Sequence, residues 1–169
     1  MAAFKTTTPE EFTGNPFSMI GSDWMLVCAQ KQDGSTNAMT AAWGGMGVMW
    51  GLNVAYVVIR PTRFTKEFVD ASDNFSLSFF EGQKKVLNYM GTVSGRDEDK
   101  IKKSALTVLH NEKAPYFEQA QIVLQCKKLY AQELLPGCFI AKELDEKWYP
   151  IRDYHTLYIA QIEKILVKD

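Results

Sequence analysis

Apolar and polar side chains alternate most clearly in the stretch FSLSFF at Phe75–Phe80. A period of two places the aromatic and leucine side chains on one face and the serines on the other, which predicts a strand with one apolar face. Further strands are predicted where β-branched and aromatic residues dominate. They are Met25–Gln30, Asn37–Trp43, Val54–Arg60, Gln121–Tyr130 and Tyr154–Val167. A terminal helix is the competing interpretation of the last stretch.

Short helices are predicted from Phe64, over Lys84–Met90 with an end at Gly91, and after Lys100. Thr65 is the expected N-cap of the first, with Phe64 and Val69 as a hydrophobic staple. The glycine-rich Gly44–Gly47 is expected to be a loose loop. About seven strands with two or three short helices predict a mainly β fold, a closed or nearly closed barrel. Strands do not alternate regularly with long helices, so a doubly wound α/β sheet fits poorly.

Composition narrows the possible partners. The chain has 169 residues and a formal net charge of −1, with acidic and basic residues interspersed, so no basic footprint for nucleic acid is present. Its start lacks the apolar core of a signal peptide, and its longest apolar run is too short to span a bilayer. The three cysteines are far apart, which indicates neither a disulfide framework nor a zinc site, and they are expected to be buried or half-buried thiols. A cytoplasmic protein without a membrane or metal partner is expected.

Two short segments are rich in groups that bind anions. The first contains Arg60, Thr62, Arg63 and Thr65 around a predicted strand-to-helix junction, where guanidinium groups, hydroxyls and free backbone N–H groups suit a phosphate. Ser94, Gly95, Arg96 and Lys100 form a second such cluster. The alternative interpretations are a solvated strand end with a helix cap, and an exposed loop whose acidic residues neutralise its cations.

Catalytic signals are few. His155 is a candidate proton donor because the pKa of histidine is ordinarily near neutrality, although a lone histidine is usually structural. Trp43 and Trp50 are more often core or interface residues than stacking platforms. No Ser-His-Asp, Cys-His or metal-ligand spacing is present, so hydrolase and metalloenzyme functions lack support.

Four ordered stretches resemble motifs of the flavin reductase-like, FMN-binding split-barrel proteins, most closely those of the flavoredoxin branch. They are Asn37–Trp43 (NAMTAAW), Ile59–Thr65 (IRPTRFT), Gly91–Lys100 (GTVSGRDEDK) and His155–Ile162 (HTLYIAQI). Ala160 and Gln161 stand where the branch usually has Gly-Glu. The resemblance implies that residues 1–169 form one flavin reductase-like FMN-binding domain, a split β-barrel that assembles as a homodimer with FMN near the subunit interface.

The resemblance also implies roles for individual residues. Met39, Thr40 and Ala41 would line the flavin ring, flanked by Asn37 and Trp43. The phosphate end would be bound by Arg60, Arg63 and Thr65. The ribityl or phosphate oxygens would be held by Ser94, Gly95 and Lys100. His155 would lie near the approach path of the nicotinamide. The implied function is an oxidoreductase that accepts a hydride from NADH or NADPH and passes electrons to an acceptor. The alternatives are a flavin-bound electron carrier without NAD(P)H turnover and a binding barrel without a cofactor.

Overall fold

The computed structural model describes residues 4–168. The strands in this range are β1 Phe4–Thr7, β2 Met25–Gln30, β3 Thr36–Ala41, β4 Gly44–Met49, β5 Leu52–Ile59, β6 Asn74–Phe79, β7 Val108–Leu109, β8 Tyr116–Phe117, β9 Ile122–Glu133 and β10 Thr156–Lys168. The α-helices are α1 Phe64–Ala71, α2 Lys84–Thr92, α3 Lys100–Lys103 and α4 Lys142–Trp148. A π-helical segment covers Phe17–Asp23, and a 3-10 turn covers Pro136–Cys138.

The main sheet is antiparallel and follows the strand order β3-β2-β6-β9-β10-β5-β4. Strand β10 is its centre, because it pairs with β9 along one edge and with β5 and then β1 along the other. The terminal segment is therefore a strand, as its two apolar faces predict, and the helix interpretation is wrong. The mainly β prediction is confirmed.

The period-two pattern decides which core each side chain enters. On β2, Val27 joins a cluster with Leu77 and Tyr158, whereas its neighbour Leu26 joins a second cluster on the opposite face of the sheet, with Phe117. Strand β6 departs from the expected half-exposed strand, because both of its faces are buried. Its serine face is covered by the β7–β8 region, where Ser76 Oγ donates to the Pro115 carbonyl oxygen at 2.5 Å.

The glycine-rich segment is a strand, not the loose loop that was expected. β4 pairs with β5 through a tight turn at Trp50 and Gly51, both of which have positive φ. A Cβ at Gly45 would lie 2.5 Å from the Tyr56 ring of the neighbouring strand. The glycine therefore allows close cross-strand packing here, and its backbone freedom is not used for a loop.

Two helix boundaries also differ from expectation. Thr65 is not the N-cap of α1, because the helix begins at Phe64 and the Thr65 hydroxyl accepts a hydrogen bond from Asn37 Nδ2 at 2.9 Å. Helix α2 continues through Gly91 to Thr92, and a Cβ on Gly91 would lie only 3.1 Å from Thr40 Cβ. In both places a contact with β3 outweighs the local capping signal. The helix α4 was not predicted, because its sequence KELDEKW has only two apolar residues, Leu144 and Trp148, which are too few to show a helical period.

Candidate functional site

Two adjoining cavities open beside the end of β3. The larger cavity has a volume of about 300 Å³ and the smaller cavity about 200 Å³. Met39, Arg60, Arg63 and Thr92 line both cavities, so the two form one continuous site. The remaining lining of the larger cavity is Trp24, Thr40, Ala41, Ala42, Trp43, Val58, Leu87, Asn88, Gly91, Trp148 and His155. The remaining lining of the smaller cavity is Thr62, Phe64, Thr65, Val93, Ser94, Gly95 and Lys100.

The smaller cavity is positively charged. Arg60, Arg63 and Lys100 line it, and no aspartate or glutamate does. Within residues 4–168 no carboxylate pairs with Arg63, whose Nη1 donates to the Gly91 carbonyl oxygen at 2.6 Å. The other guanidinium donors of Arg63 remain available beside the cavity. This donor set suits an anion with several acceptor oxygens.

Lys100 is buried, although it carries a charge. Its Nζ donates to the Met90 and Val93 carbonyl oxygens at 2.8 and 3.0 Å, which ties the start of α3 to the end of α2. Burial and then the nearby Arg63 charge lower the pKa of Lys100 to about 8. An anion in the smaller cavity would stabilise the charged ammonium group.

Gly95 forms a wall of the smaller cavity that has no room for a side chain. A Cβ there would lie 2.5 Å from Asn37 Oδ1 and 3.0 Å from Phe64 Cδ1. Asn37 is itself buried and is held by its hydrogen bond to Thr65. The loop backbone can therefore pack this closely on Asn37 and Phe64 only because residue 95 is a glycine.

The larger cavity is walled mainly by apolar and aromatic groups. Strand β3 supplies Met39, Thr40 and Ala41, and the Thr40 hydroxyl donates to the Leu87 carbonyl oxygen at 2.5 Å. The rings of Trp43 and Trp148 meet edge to face, with centroids 4.8 Å apart. Flat apolar walls of this kind suit a planar ring system.

Arg60 has more protein partners than Arg63. Its Nη1 lies 2.6 Å from Asp153 Oδ2, and its Nη2 donates to the Trp148 carbonyl oxygen at 2.9 Å. The guanidinium also lies over the Tyr149 ring, 5.2 Å from the centroid. Arg60 therefore fastens the segment after α4 to the site, which leaves Arg63 as the cation with more donors free for an anion.

His155 is buried at the back of the larger cavity. Its Nδ1 lies 2.7 Å from the Tyr149 hydroxyl, and its ring centroid lies 5.1 Å from that of Trp43. Burial is the largest of the influences that lower the pKa of His155 to about 4; Arg60 and Arg63 lower it further, and Asp153 opposes them. The imidazole is therefore neutral at neutral pH, which weighs against the expected role of proton donor.

A sequence model of the family described as "Flavin reductase like domain" matches residues 17–169. The chain belongs to this flavin reductase-like family. It is therefore a member of a family of flavin-binding oxidoreductases.

Solved structures share the fold of this flavin reductase-like domain. An FMN-binding domain of a flavin reductase-like enzyme from Shewanella baltica superposes with a TM-score of 0.70 at 18% identity, covering 98% of this chain and 78% of that one. A flavoredoxin from Desulfovibrio vulgaris gives 0.66 at 21%, covering 95% and 75%. A structure from Shewanella frigidimarina described as having a split barrel domain gives 0.68 at 17%, covering 87% and 67%. The split-barrel prediction is confirmed. No match is found among curated protein sequences.

Of the residues to which the resemblance gives a role in this flavin reductase-like domain, all except Asn37 line at least one of the two cavities. Arg96 of the second predicted cluster lines neither, because it pairs with Glu67. Asn37 lies behind the wall, under Gly95. Their individual roles remain predictions. Gln161, at the departure from the family motif, lines neither cavity.

Sequence reasoning missed Trp24, Leu87, Asn88 and Trp148 as lining residues. Trp148 ends the unpredicted helix α4, so no local pattern pointed to it. Leu87 and Asn88 lie on α2, and only the packing of that helix against β3 brings them to the cavity.

Two observations bear on other classes of function. In the part of the chain that the structure describes, no three His, Cys, Asp or Glu side chains come together as a metal site. No helix among residues 4–168 combines the length and the apolar character needed to cross a membrane.

Proposed function

We propose that this domain binds FMN and acts as an oxidoreductase that accepts a hydride from NADH or NADPH and passes electrons to an acceptor. One observation supports this most: a cavity with three cations and no carboxylate adjoins a cavity with aromatic and apolar walls. A planar ring bearing a phosphorylated chain matches this pair of cavities. Arg63, Thr65 and Lys100 would bind the phosphate, while Ser94 and Gly95 would hold the chain.

The residues present fit this cofactor. Arg63 has donors without a carboxylate partner among the described residues, and Gly95, which has no room for a Cβ, keeps the loop close to Asn37 so that the smaller cavity stays open. Bound FMN would supply the capacity to take up a hydride and to release electrons singly or in pairs. The protein would bind and orient the ring between β3 and the tryptophans, and His155 would contribute a hydrogen bond without moving a proton.

The test is an absorption spectrum of the purified protein, followed by rapid mixing with NADH and NADPH. Absorbance near ~450 nm that is retained through gel filtration supports flavin binding, and its loss within seconds of mixing supports the reductase. Slower loss would favour the alternative, a flavin-bound electron carrier. Protein that neither shows this absorbance nor retains added FMN would contradict the flavin site altogether.

We also propose that the domain is a homodimer. Val48, Met49 and Trp50 are exposed around the β4–β5 turn, and the Trp50 ring lies 6.4 Å from that of the exposed Tyr130. Strand β4 ends the main sheet, and no strand within residues 4–168 pairs with its outer edge, so backbone groups there are open to pairing. A second copy would cover this apolar surface. Sedimentation of the protein and of Trp50→Asp tests this, since a monomeric wild-type protein would contradict it.

We also propose that the protein is located in the cytoplasm. Cys28 and Cys126 are buried free thiols, and Cys138 is an exposed one. The exposed Cys138 departs from the buried or half-buried thiols expected from the sequence. Free thiols of this kind are typical of a reducing compartment.

FMN affinity is expected to fall as the pH rises above about 8. Above this pH the free protein loses the Lys100 proton, whereas a phosphate favours the charged form and raises the pKa of Lys100 in the complex. Binding then takes up a proton, so the affinity falls by up to about tenfold per pH unit. Fluorescence titration measures this. Riboflavin, which lacks the phosphate, should show a flatter pH profile with the wild-type protein, and so should FMN with Lys100→Met. If both slopes equal that of FMN with the wild-type protein, the role of Lys100 is contradicted.

A further inference from the structure

Tyr149 and His155 form a buried pair at the back of the larger cavity. The Tyr149 hydroxyl lies 2.7 Å from His155 Nδ1, and the two rings meet edge to face with centroids 5.6 Å apart. Tyr149 is held from two other sides. Tyr154 stacks on it at 4.7 Å, and the Arg60 guanidinium lies over its ring. The hydroxyl is thus fixed in place opposite Nδ1.

The proton between these two atoms belongs to the tyrosine. An imidazole nitrogen is a far better acceptor than a phenol oxygen, and a neutral imidazole has one nitrogen of each kind. Burial raises the pKa of Tyr149, so its hydroxyl keeps the proton that it donates. If Nδ1 accepts, the histidine proton must be on Nε2.

The other ring nitrogen faces the site. Within residues 4–168 no protein group hydrogen-bonds Nε2, although His155 lines the larger cavity. Nε2 is not one of the fully buried polar atoms without a partner, so this nitrogen is at least partly accessible. Because the rest of His155 is buried and the residue lines the larger cavity, Nε2 points toward that cavity.

We propose that Tyr149 is a positioning residue that holds His155 in the neutral Nε2–H tautomer, so that the larger cavity contains a fixed uncharged hydrogen-bond donor. Such a donor suits an uncharged carbonyl or carboxamide oxygen on a planar ligand. The tautomer is a property of the protein alone, while its use on a ligand rests on the proposed flavin site.

Nitrogen-15 NMR of the histidine rings in the purified protein, with and without added FMN, tests the proposal. The chain has only two histidines, so His110→Gln assigns the His155 signals. The expected result at neutral pH is a protonated Nε2 and an unprotonated Nδ1 for His155. In Tyr149→Phe the two tautomers should mix, because the donor that selects one of them is gone. A proton on Nδ1 in the wild-type protein overturns the proposal.

Tyr154→Phe is the matched control. It removes a hydroxyl from the same aromatic group, but that hydroxyl donates to Asp145 and not to His155. The control should keep the wild-type tautomer, and the same change in both variants would indicate a general loss of packing. An unchanged tautomer in folded Tyr149→Phe would overturn the role of Tyr149. If Tyr149→Phe does not fold, a slowly exchanging Tyr149 hydroxyl proton correlated with Nδ1 in the wild-type protein decides the same question.

The same pair predicts behaviour at lower pH. Burial and then the Arg60 charge oppose protonation of His155, Asp153 favours it less strongly than Arg60 opposes it, and Arg63 opposes it as well. The Nε2–H tautomer should therefore persist at about pH 5.5, where an unperturbed histidine is mostly charged. A doubly protonated His155 at that pH would contradict the fixed neutral donor. Neither result depends on flavin, so failure of this proposal is distinct from an absent flavin spectrum.

Discussion

Replacing Arg63 by alanine is expected to weaken FMN binding by about 1.5–3 kcal/mol, the usual value of a hydrogen bond to a charged group. This corresponds to roughly 10- to 150-fold in the dissociation constant. Arg63 lines both cavities, lacks a carboxylate partner among the described residues and has most of its donors free. Riboflavin binding should change far less, because riboflavin has no phosphate. Fluorescence titration with both ligands measures the difference.

Arg96→Ala is the control for this substitution. Arg96 is on the neighbouring loop, but it lies 2.6 Å from Glu67 and lines neither cavity. Its removal should leave FMN affinity nearly unchanged. The riboflavin measurement separates support of the loop by Arg63 from its binding of phosphate, because loss of its hydrogen bond to the Gly91 carbonyl oxygen would weaken the binding of both ligands. Equal losses for FMN and riboflavin would mean that Arg63 supports the loop and does not bind phosphate.

Gly95→Ala is expected to lower the free energy of unfolding by about 1–3 kcal/mol, the typical cost of overpacking. The new Cβ would lie 2.5 Å from Asn37 Oδ1, and Asn37 cannot easily withdraw because its amide is buried and donates to Thr65. The loop must therefore move toward the smaller cavity. FMN affinity should fall at least about tenfold as the cavity narrows. Urea unfolding and flavin titration measure the two effects.

The matched glycine for this experiment is Gly137. No atom lies within 4 Å of a Cβ built at this position, and its φ is not in the left-handed region. Gly137→Ala should therefore change neither stability nor flavin affinity appreciably. If Gly95→Ala also leaves both unchanged, Asn37 can rearrange and the close wall is not required for the site.

Several elements could be predicted from local pattern alone. The alternation at Phe75–Phe80 and the two apolar faces of the last stretch predict strands, because burial on a pleated sheet requires a period of two. The Asp33-Gly34 turn between β2 and β3 is of the same kind, with Gly34 at positive φ. The loop expected at Gly44 and Gly45 was wrong, because these glycines allow β4 to pack closely on Tyr56 of the neighbouring strand, a contact that local sequence does not show.

By itself, the sequence determined the mainly β character, the two clusters of anion-binding groups and the resemblance that names the family. These depend on neighbouring residues and on ordered motifs. Only the tertiary structure decided how those groups are used. In the folded chain Arg63 and Lys100 line one cavity, and Arg60 forms an ion pair with Asp153. Thr65 accepts a hydrogen bond from Asn37, and the His155 ring is hydrogen-bonded to Tyr149. The physical reason is that burial and hydrogen-bond partners, which set charge and tautomer, come from segments that are distant along the chain.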